Sequence, residues 1–339
     1  MKRVKPYYNT SWIKSLEEYL KHYEFWHDGI IEHLEKKILD RVGSRKYALA
    51  VNSSSNAIFM ALYVWSKIHP GRNEVIIPNW GYPAAFKACL VLGLEPVPVD
   101  INPVTFGLTG NDIFNNYSER TLAVVHIENN GIMGEAQDLA STIGCIDNDI
   151  LFIEDSAPSL LQMDAGCFGD VAMFSLSPTK PLMAGEGSVM LMDNDILYKE
   201  LRLLRHTPNY ENKEASLNFC LSPFLAAYVL PQFDHLRDVA KMRERVHNWY
   251  AKHLDIFSET TNFHGAIMYL SDKAEEISRK LIMFNIEHRY KYYPCYVDDP
   301  EKFPVSCRVR DQLIDLPMHH ELTEKQVEAV CNIVKRTIL

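Results

Sequence analysis

Residues 171–192 read VAMFSLSPTKPLMAGEGSVMLM: two mostly apolar runs, Val171 to Ser175 and Ser188 to Met192, enclose an irregular segment built on Pro178, Pro181 and the turn Gly185-Glu186-Gly187. Short apolar runs bounded by glycine and proline predict buried strands. Lys180 lies between them, five residues after Ser175. The same pattern extends towards the amino terminus, with strands expected at Tyr47 to Val51, Glu74 to Ile77, Glu95 to Val99, Leu122 to Ile127 and Ile150 to Glu154. Apolar residues at helical spacing predict helices over Ala57 to Lys67, Pro83 to Leu92 and Gln137 to Ile143. This alternation predicts an α/β domain in which a mostly parallel sheet is flanked by helices. Ligands of such sheets gather beyond the carboxyl ends of the strands, so the segments just after each strand are where chemistry is expected.

Towards the carboxyl terminus, Phe224 to Phe257 reads as one or two long helices, with Val239, Met242, Val246 and Tyr250 on one face. A strand near Ala266 to Leu270, a helix near Lys273 to Phe284, the aromatic segment HRYKYYPCY (288–296) and a last helix from Thr323-Glu324 describe a small α+β domain. The expected division is a large domain over 1–235 with an N-terminal helical segment, a bridging helix over 236–257 and the small C-terminal domain over 258–339. With 47% apolar residues and no long apolar run, the 339-residue chain reads as a soluble globular protein without a membrane span. The opening MKRVKPYYNTSW has no apolar stretch behind its basic residues, so a cytoplasmic location is expected. Seven scattered cysteines without a C-x-x-C pair argue against a disulfide framework and a zinc site. A formal charge of −9 argues against non-specific nucleic-acid binding, which depends on neutralising phosphates.

Four places could carry chemistry. The run Asn52-Ser53-Ser54-Ser55-Asn56 precedes an apolar helix, where open backbone amides and the helix dipole suit a phosphate; an ordinary cap and turn is the alternative. Asp155 follows the apolar strand ILFIE, where a carboxylate could meet a protonated ring nitrogen or a metal, or could simply be a helix cap or a paired surface acid; Glu154 reads as a buried or paired acid. Lys180 lies in an apolar setting that would lower its pKa, as a nucleophilic amine requires. Tyr82, in PNWGYPAAF, could stack on a flat ring, whereas packing is the better reading for Trp80. A phosphate cradle, a stacking ring, an acid and a lysine in that chain order are far more specific together than singly.

On these residues the chain resembles the DegT/DnrJ/EryC1/StrS sugar aminotransferases, fold-type I transferases that depend on pyridoxal 5'-phosphate (PLP). The resemblance runs from about Asp28 to the end. The family's phosphate turn is matched by Ser54, Ser55, Asn56, Ala57 and Ile58, and its stacking aromatic by Tyr82. Its Glu-Asp-Ala-Ala-Gln segment is similar to Glu154 to Pro158, which implies that Asp155 meets the pyridine nitrogen. Its Ser-Phe-x-x-x-Lys segment and Gly-Glu-Gly turn are matched by Ser175 to Gly187, which implies Ser175 as a phosphate ligand and Lys180 as the Schiff-base lysine. Members that dehydrate instead have histidine at that position, so Lys180 implies transamination. The residue matching an asparagine that reaches the neighbouring subunit's phosphate is Asn218, which implies a homodimer with a shared site. The segment IDLPMHHELTEKQVEAV (314–330) matches the family's carboxy-terminal signature.

Three positions depart from the family pattern: Pro158 replaces a glutamine that contacts the ring hydroxyl, Cys220 replaces an arginine, and Ser54 stands where glycine is usual. The resemblance implies an amino group moved from a donor, glutamate in the family, to a nucleotide-linked keto-sugar through pyridoxamine 5'-phosphate, in amino-sugar biosynthesis. Glu186, Arg289 and Lys291 are candidate substrate contacts, the last two for a sugar-nucleotide diphosphate, with solvated surface charges the alternative for both. Two other readings stay open: a keto compound without a nucleotide, and a lapsed binding subunit that keeps the fold.

Overall fold

The computed structural model describes residues 1–5, 7, 11–22, 29–206, 216–257 and 266–338. The start of the family resemblance near 28 and the expected domain boundary at 258 lie outside the described residues.

Seven strands form the main sheet: β1 (Tyr47–Val51), β2 (Glu74–Pro78), β3 (Glu95–Val99), β4 (Thr121–Ile127), β5 (Leu151–Asp155), β6 (Val171–Ser175) and β7 (Ser188–Met192). Their order is β1-β7-β6-β5-β4-β2-β3. The run from β6 to β3 is parallel, and β7 is antiparallel to both β1 and β6. Every residue of β4, β5 and β7 is buried, as expected where helices cover both faces of a sheet. Alternate residues feed opposite layers: Leu49 and Val51 pack under Ser54–Ile68 and Ala84–Leu92, while Ala48 and Ala50 pack under Gly29–Val42.

The expected strands and helices are present, with ends moved by a few residues. The helix Gly110–Asn116 has no expected counterpart, because GNDIFNN offers little helical propensity; a capping box between Thr109 and Asp112 starts it. Asp195–Arg205 and Pro304–Gln312 are also helices beyond those expected. In the stretch expected as one or two long helices, Pro223–Val229 and Leu236–Ala251 flank a tight 3₁₀ segment, Leu230–His235, that contains Pro231. Proline has no amide hydrogen for the α-helical ladder, which accounts for the change of pitch.

The second sheet contains β8 (Ile267–Leu270), β9 (Arg289–Tyr290) and β10 (Leu313–Leu316), with β10 in the middle and antiparallel to both neighbours. Its core joins Ile277 and Leu281 with Val327, Val330 and Val334, and with Val246 and Tyr250 of Leu236–Ala251. Residues 1–5 lie against it: Met1 O accepts from Glu287 N at 2.8 Å, and Arg3 O accepts from Met318 N at 2.7 Å.

Two polar side chains, the buried Asn79 and the half-buried Asp100, dock the segment between β9 and β10 on the larger sheet. Asn79, at the end of β2, accepts from Val297 N and donates to Val297 O, both at 2.9 Å. Asp100, after β3, accepts from Val305 N at 2.9 Å, Ser306 N at 2.7 Å and Ser306 Oγ at 2.6 Å. Both acceptors lie at carboxyl ends of strands, so the small sheet is held over the edge where ligands are expected.

Gly187, which leads the chain into β7, has φ +120°, and a Cβ there would lie 2.6 Å from Leu221 Cδ1 and 3.2 Å from Leu176 Cδ1. We expect Gly187→Ala to lower unfolding stability by about 1–3 kcal/mol, read as a lower denaturation midpoint at unchanged m-value.

Candidate active site

A cavity of about 600 Å³ opens where β4, β5 and β6 end and the first turn of Ser54–Ile68 begins. That size is ordinary for a small-molecule site. Lys180, Asp155, Ser54, Ser55, Asn56, Ser175, Tyr82, Glu186 and Arg289 all line it.

Lys180 sits in the loop after β6, its backbone amide donating to Ser177 O at 3.0 Å. Its amine has no hydrogen-bond or ion-pair partner among the described residues. Burial pulls its pKa down to about 8; Asp155 opposes that shift, and Arg289, Arg243 and Arg3 add to it. A useful fraction of the amine is therefore unprotonated near neutral pH, as a nucleophile needs.

Asp155 ends β5 and is 3% exposed. Its Oδ1 accepts from Ala157 N at 3.2 Å, and no second protein partner is present for the carboxylate among the described residues. Burial pushes its pKa up, while the positive charge of Lys180 and the Ala157 amide hold it down. The preceding residue points to the other face of the sheet: Glu154 accepts from Gly166 N at 2.8 Å, and from Phe168 N and Gly169 N at 2.9 Å. Glu154 is thus a structural acid that fixes the turn before β6. Close to it, burial first and the charge of Glu154 second push the Glu128 carboxyl well above the usual range, and Ser156 Oγ donates to Glu128 Oε1 at 3.1 Å.

At the helix start, capping and ligand binding fall on different atoms. Ser53 Oγ accepts from Asn56 N at 3.1 Å, so Ser53 is the cap. The amides of Ser54 and Ser55 have no acceptor within the helix, and they sit at the positive end of its dipole. Ser54 Oγ donates to Ser188 Oγ at 3.0 Å, which donates to Phe174 O at 2.9 Å, linking the turn to β6 and β7. Across the cavity, Ser175 Oγ accepts from Ser177 N at 3.2 Å.

Tyr82 is 47% exposed and lines the cavity, whereas Trp80 is buried against Phe106 and Tyr293, as packing predicts. Tyr296 Oη donates to the carbonyls of Gly81 at 3.2 Å and Tyr82 at 3.1 Å, fixing the Tyr82 backbone. Gly81, with φ +149°, permits that turn: a Cβ would lie 2.9 Å from Asn129 Oδ1.

The outer candidates divide. Arg289 faces the cavity, with its guanidinium carbon 3.8 Å from the ring centroid of Tyr292. Glu186 is exposed on the rim. Lys291 does not line the cavity; its Nζ lies 3.1 Å from Asp311 instead. Asn218 is exposed and also outside the cavity lining, its Oδ1 accepting from Cys220 N at 3.4 Å. Arg3 and Arg243 line the cavity without having been anticipated, since neither belongs to a motif. Arg243 donates to Thr179 O at 3.2 Å, and burial pulls its pKa down to about 10.

A desolvated amine, a buried carboxylate with one oxygen unused by the protein, open amides at a helix start and an accessible aromatic ring suit PLP, which presents an aldehyde, a ring nitrogen, a phosphate and a flat ring. No group of three or more metal-ligating side chains occurs among the described residues, and no helix among them is long and apolar enough to cross a membrane.

Comparison with known proteins agrees. GDP-perosamine synthase of Caulobacter vibrioides is 27% identical, with 95% of this chain and 91% of that protein covered. UDP-2-acetamido-2-deoxy-3-oxo-D-glucuronate aminotransferase of Pseudomonas aeruginosa is 26% identical, with 93% of each covered. The solved structure of Helicobacter pylori PseC, an aminotransferase involved in the biosynthesis of pseudoaminic acid, superposes with a TM-score of 0.87 at 20% identity, over 99% of this chain and 98% of that one. This last likeness establishes the fold. The match to the DegT/DnrJ/EryC1/StrS aminotransferase family spans residues 7–335, and the chain belongs to that family of PLP-dependent aminotransferases.

Proposed function

We propose that this aminotransferase moves an amino group from an amino acid, glutamate being the donor that the family implies, to a nucleotide-linked keto-sugar in amino-sugar biosynthesis. The observation that carries this reading is the placement of Lys180 and Asp155 in one cavity, each within the other's field. Relatives named for GDP- and UDP-linked sugars support the nucleotide.

When bound, PLP supplies an electrophilic carbon for amines and a ring able to take up an electron pair. Lys180 Nζ is the group to hold it. The same nitrogen would serve as the base for the donor's α-proton, because its pKa near 8 suits both taking and returning a proton. Asp155 would be the carboxylate to keep a proton on the ring nitrogen. The amides of Ser54 and Ser55, with the hydroxyls of Ser54 and Ser175 and the side chain of Asn56, would hold the phosphate, and Tyr82 would stack on the ring. The match of Asn218 to the family's phosphate asparagine from the neighbouring subunit, with its exposure outside its own chain's cavity, supports reading the functional unit as a homodimer. We also read residues 1–235 as the cofactor domain and 258–339 as the substrate-side domain, with 236–257 between them, and the location as cytoplasmic.

The decisive experiment is transamination by purified protein with PLP and L-glutamate against a panel of nucleotide-linked 3-keto and 4-keto sugars, with products identified by mass and regiochemistry. No amino sugar from any of them would sink the reading. Lys180→Ala is expected to abolish turnover and the visible absorbance of bound cofactor while keeping the fold by circular dichroism. Asp155→Asn is expected to retain bound cofactor but lose turnover by about 100-fold or more, the order seen when an electrostatic stabiliser is removed.

The Lys180 amine also makes stability depend on pH. Its folded-state pKa of about 8 lies below the ordinary 10.5, so keeping it charged opposes folding fully below pH 8, and the penalty fades between 8 and 10.5. In cofactor-free protein, Lys180→Met should therefore raise the melting temperature at pH 7, and the gain should shrink as the pH is raised through that window. A gain that stays constant from pH 7 to pH 10 would show that the amine is not desolvated.

A further inference from the structure

Glu128 is the first residue beyond β4, and its carboxyl is turned against a second buried acid. Both Glu128 and Glu154 are 0% exposed. They are not equivalent. Glu154 accepts from the amide of Gly166 at Oε1 and from those of Phe168 and Gly169 at Oε2, so of the roughly four lone-pair sites of an ionised carboxylate only one, on Oε1, is left. Glu128 accepts from Ser156 Oγ at its Oε1. Its Oε2 is buried and receives no hydrogen bond among the described residues; the Ser159 hydroxyl lies beside the carboxyl without making one. Neither acid forms an ion pair among the described residues: Arg45, whose guanidinium donates to the carbonyls of Cys167 and Gly169, pairs with Asp193.

We propose that Glu128 is the neutral acid of this pair, donating its Oε2 proton to the free site on Glu154 Oε1, and that the pair is the positioning device for Asp155. Two ionised carboxyls in contact away from water repel strongly, so one of them keeps its proton. Three amides stabilise a negative charge on Glu154, which makes it the anion and Glu128 the donor. Burial first, and the charge of Glu154 second, hold that proton well above the usual carboxylate range. The pair brackets Asp155. Glu154 precedes it, Ser156 follows it and donates to Glu128, and Glu128 N donates to Asp155 O at 3.1 Å. One protonated side chain at the end of β4 thereby fixes both neighbours of the carboxylate that shares a cavity with Lys180, and the backbone between them. The other titratable groups around the pair are His126 on β4 and Cys167 before β6, both within the field of Glu154.

The test compares Glu128→Gln, which keeps a donor for Glu154 and an acceptor for Ser156 but cannot titrate, with wild type and Glu128→Ala. The folded protein holds the Glu128 proton more tightly than the unfolded chain, where it leaves near 4.5. Stability drawn from that proton is therefore complete below 4.5 and is lost as the pH rises towards the folded value. In cofactor-free full-length protein, the denaturation midpoint of Glu128→Gln relative to wild type should rise between about pH 5 and about pH 8. Lys180, Asp155, His126 and Cys167 are common to both proteins and cancel in that difference. In a second measurement, PLP is titrated into each protein and followed by visible absorbance. Glu128→Ala should bind it about tenfold or more weakly, and Glu128→Gln should recover most of the loss. A midpoint difference that is the same at both pH values would overturn the shared proton, and decides the matter even if Glu128→Ala does not fold. PLP affinity in Glu128→Ala equal to wild type, or in Glu128→Gln no better than in Glu128→Ala, would overturn the positioning of Asp155. Neither measurement involves transamination, so failure of the sugar reading would leave both results standing.

Discussion

The structure turns on one electrostatic arrangement: an amine withdrawn from water at Lys180, faced by a carboxylate withdrawn from water at Asp155. Neither would be tolerable alone, because desolvating an isolated charge costs several kcal/mol even after relaxation. Sharing a cavity lowers that cost for both, and the incompleteness of the compensation is what makes them chemically useful. The amine is left titrating within reach of neutral pH, and the carboxylate keeps an oxygen for something other than protein. A full salt bridge with saturated hydrogen bonds would be more stable and inert.

That arrangement requires side chains of adjacent residues to be sent to opposite faces of the sheet. Glu154 and Asp155 are neighbours in β5, yet Glu154 takes three amides of the turn before β6 while Asp155 faces the cavity. The turn held by Glu154 leads directly into the strand that delivers Ser175 and, beyond it, Lys180. One acid therefore holds the scaffold that positions the other acid's partner. A register slip by one residue in β5 would exchange the two and destroy both roles.

The small sheet completes the cavity from the far side. Asn79 and Asp100, at the ends of β2 and β3, bind the backbone of the segment between β9 and β10, so the docking is specified by hydrogen bonds at the same edge of the main sheet that carries the site. Arg289 and Arg3 arrive through this contact. The wall of the cavity that carries Lys180 and Asp155 is thus built from the main sheet, and the wall that carries Arg289 from the smaller one.

Much of this was legible in the sequence. Strand placement came from short apolar runs between breakers, and the conjunction of Ser54 to Asn56, Tyr82, Asp155 and Lys180 was readable because each lies just past a strand, where local order alone predicts convergence. The helix Gly110–Asn116 was not legible, since its composition disfavours a helix and only the Thr109 cap and packing decide it. Tertiary structure alone decided the cationic wall. Arg3, Arg243 and Arg289 are separated by hundreds of residues or by whole elements, and nothing in the local pattern of an arginine says which surface it will face. The same limit applies to Lys291, read beside Arg289 as an equivalent candidate but turned towards Asp311. Sequence determines which chemistry a strand end can offer, because that depends on neighbours along the chain; which distant charges share its cavity depends on how the elements pack, and only the folded molecule fixes that.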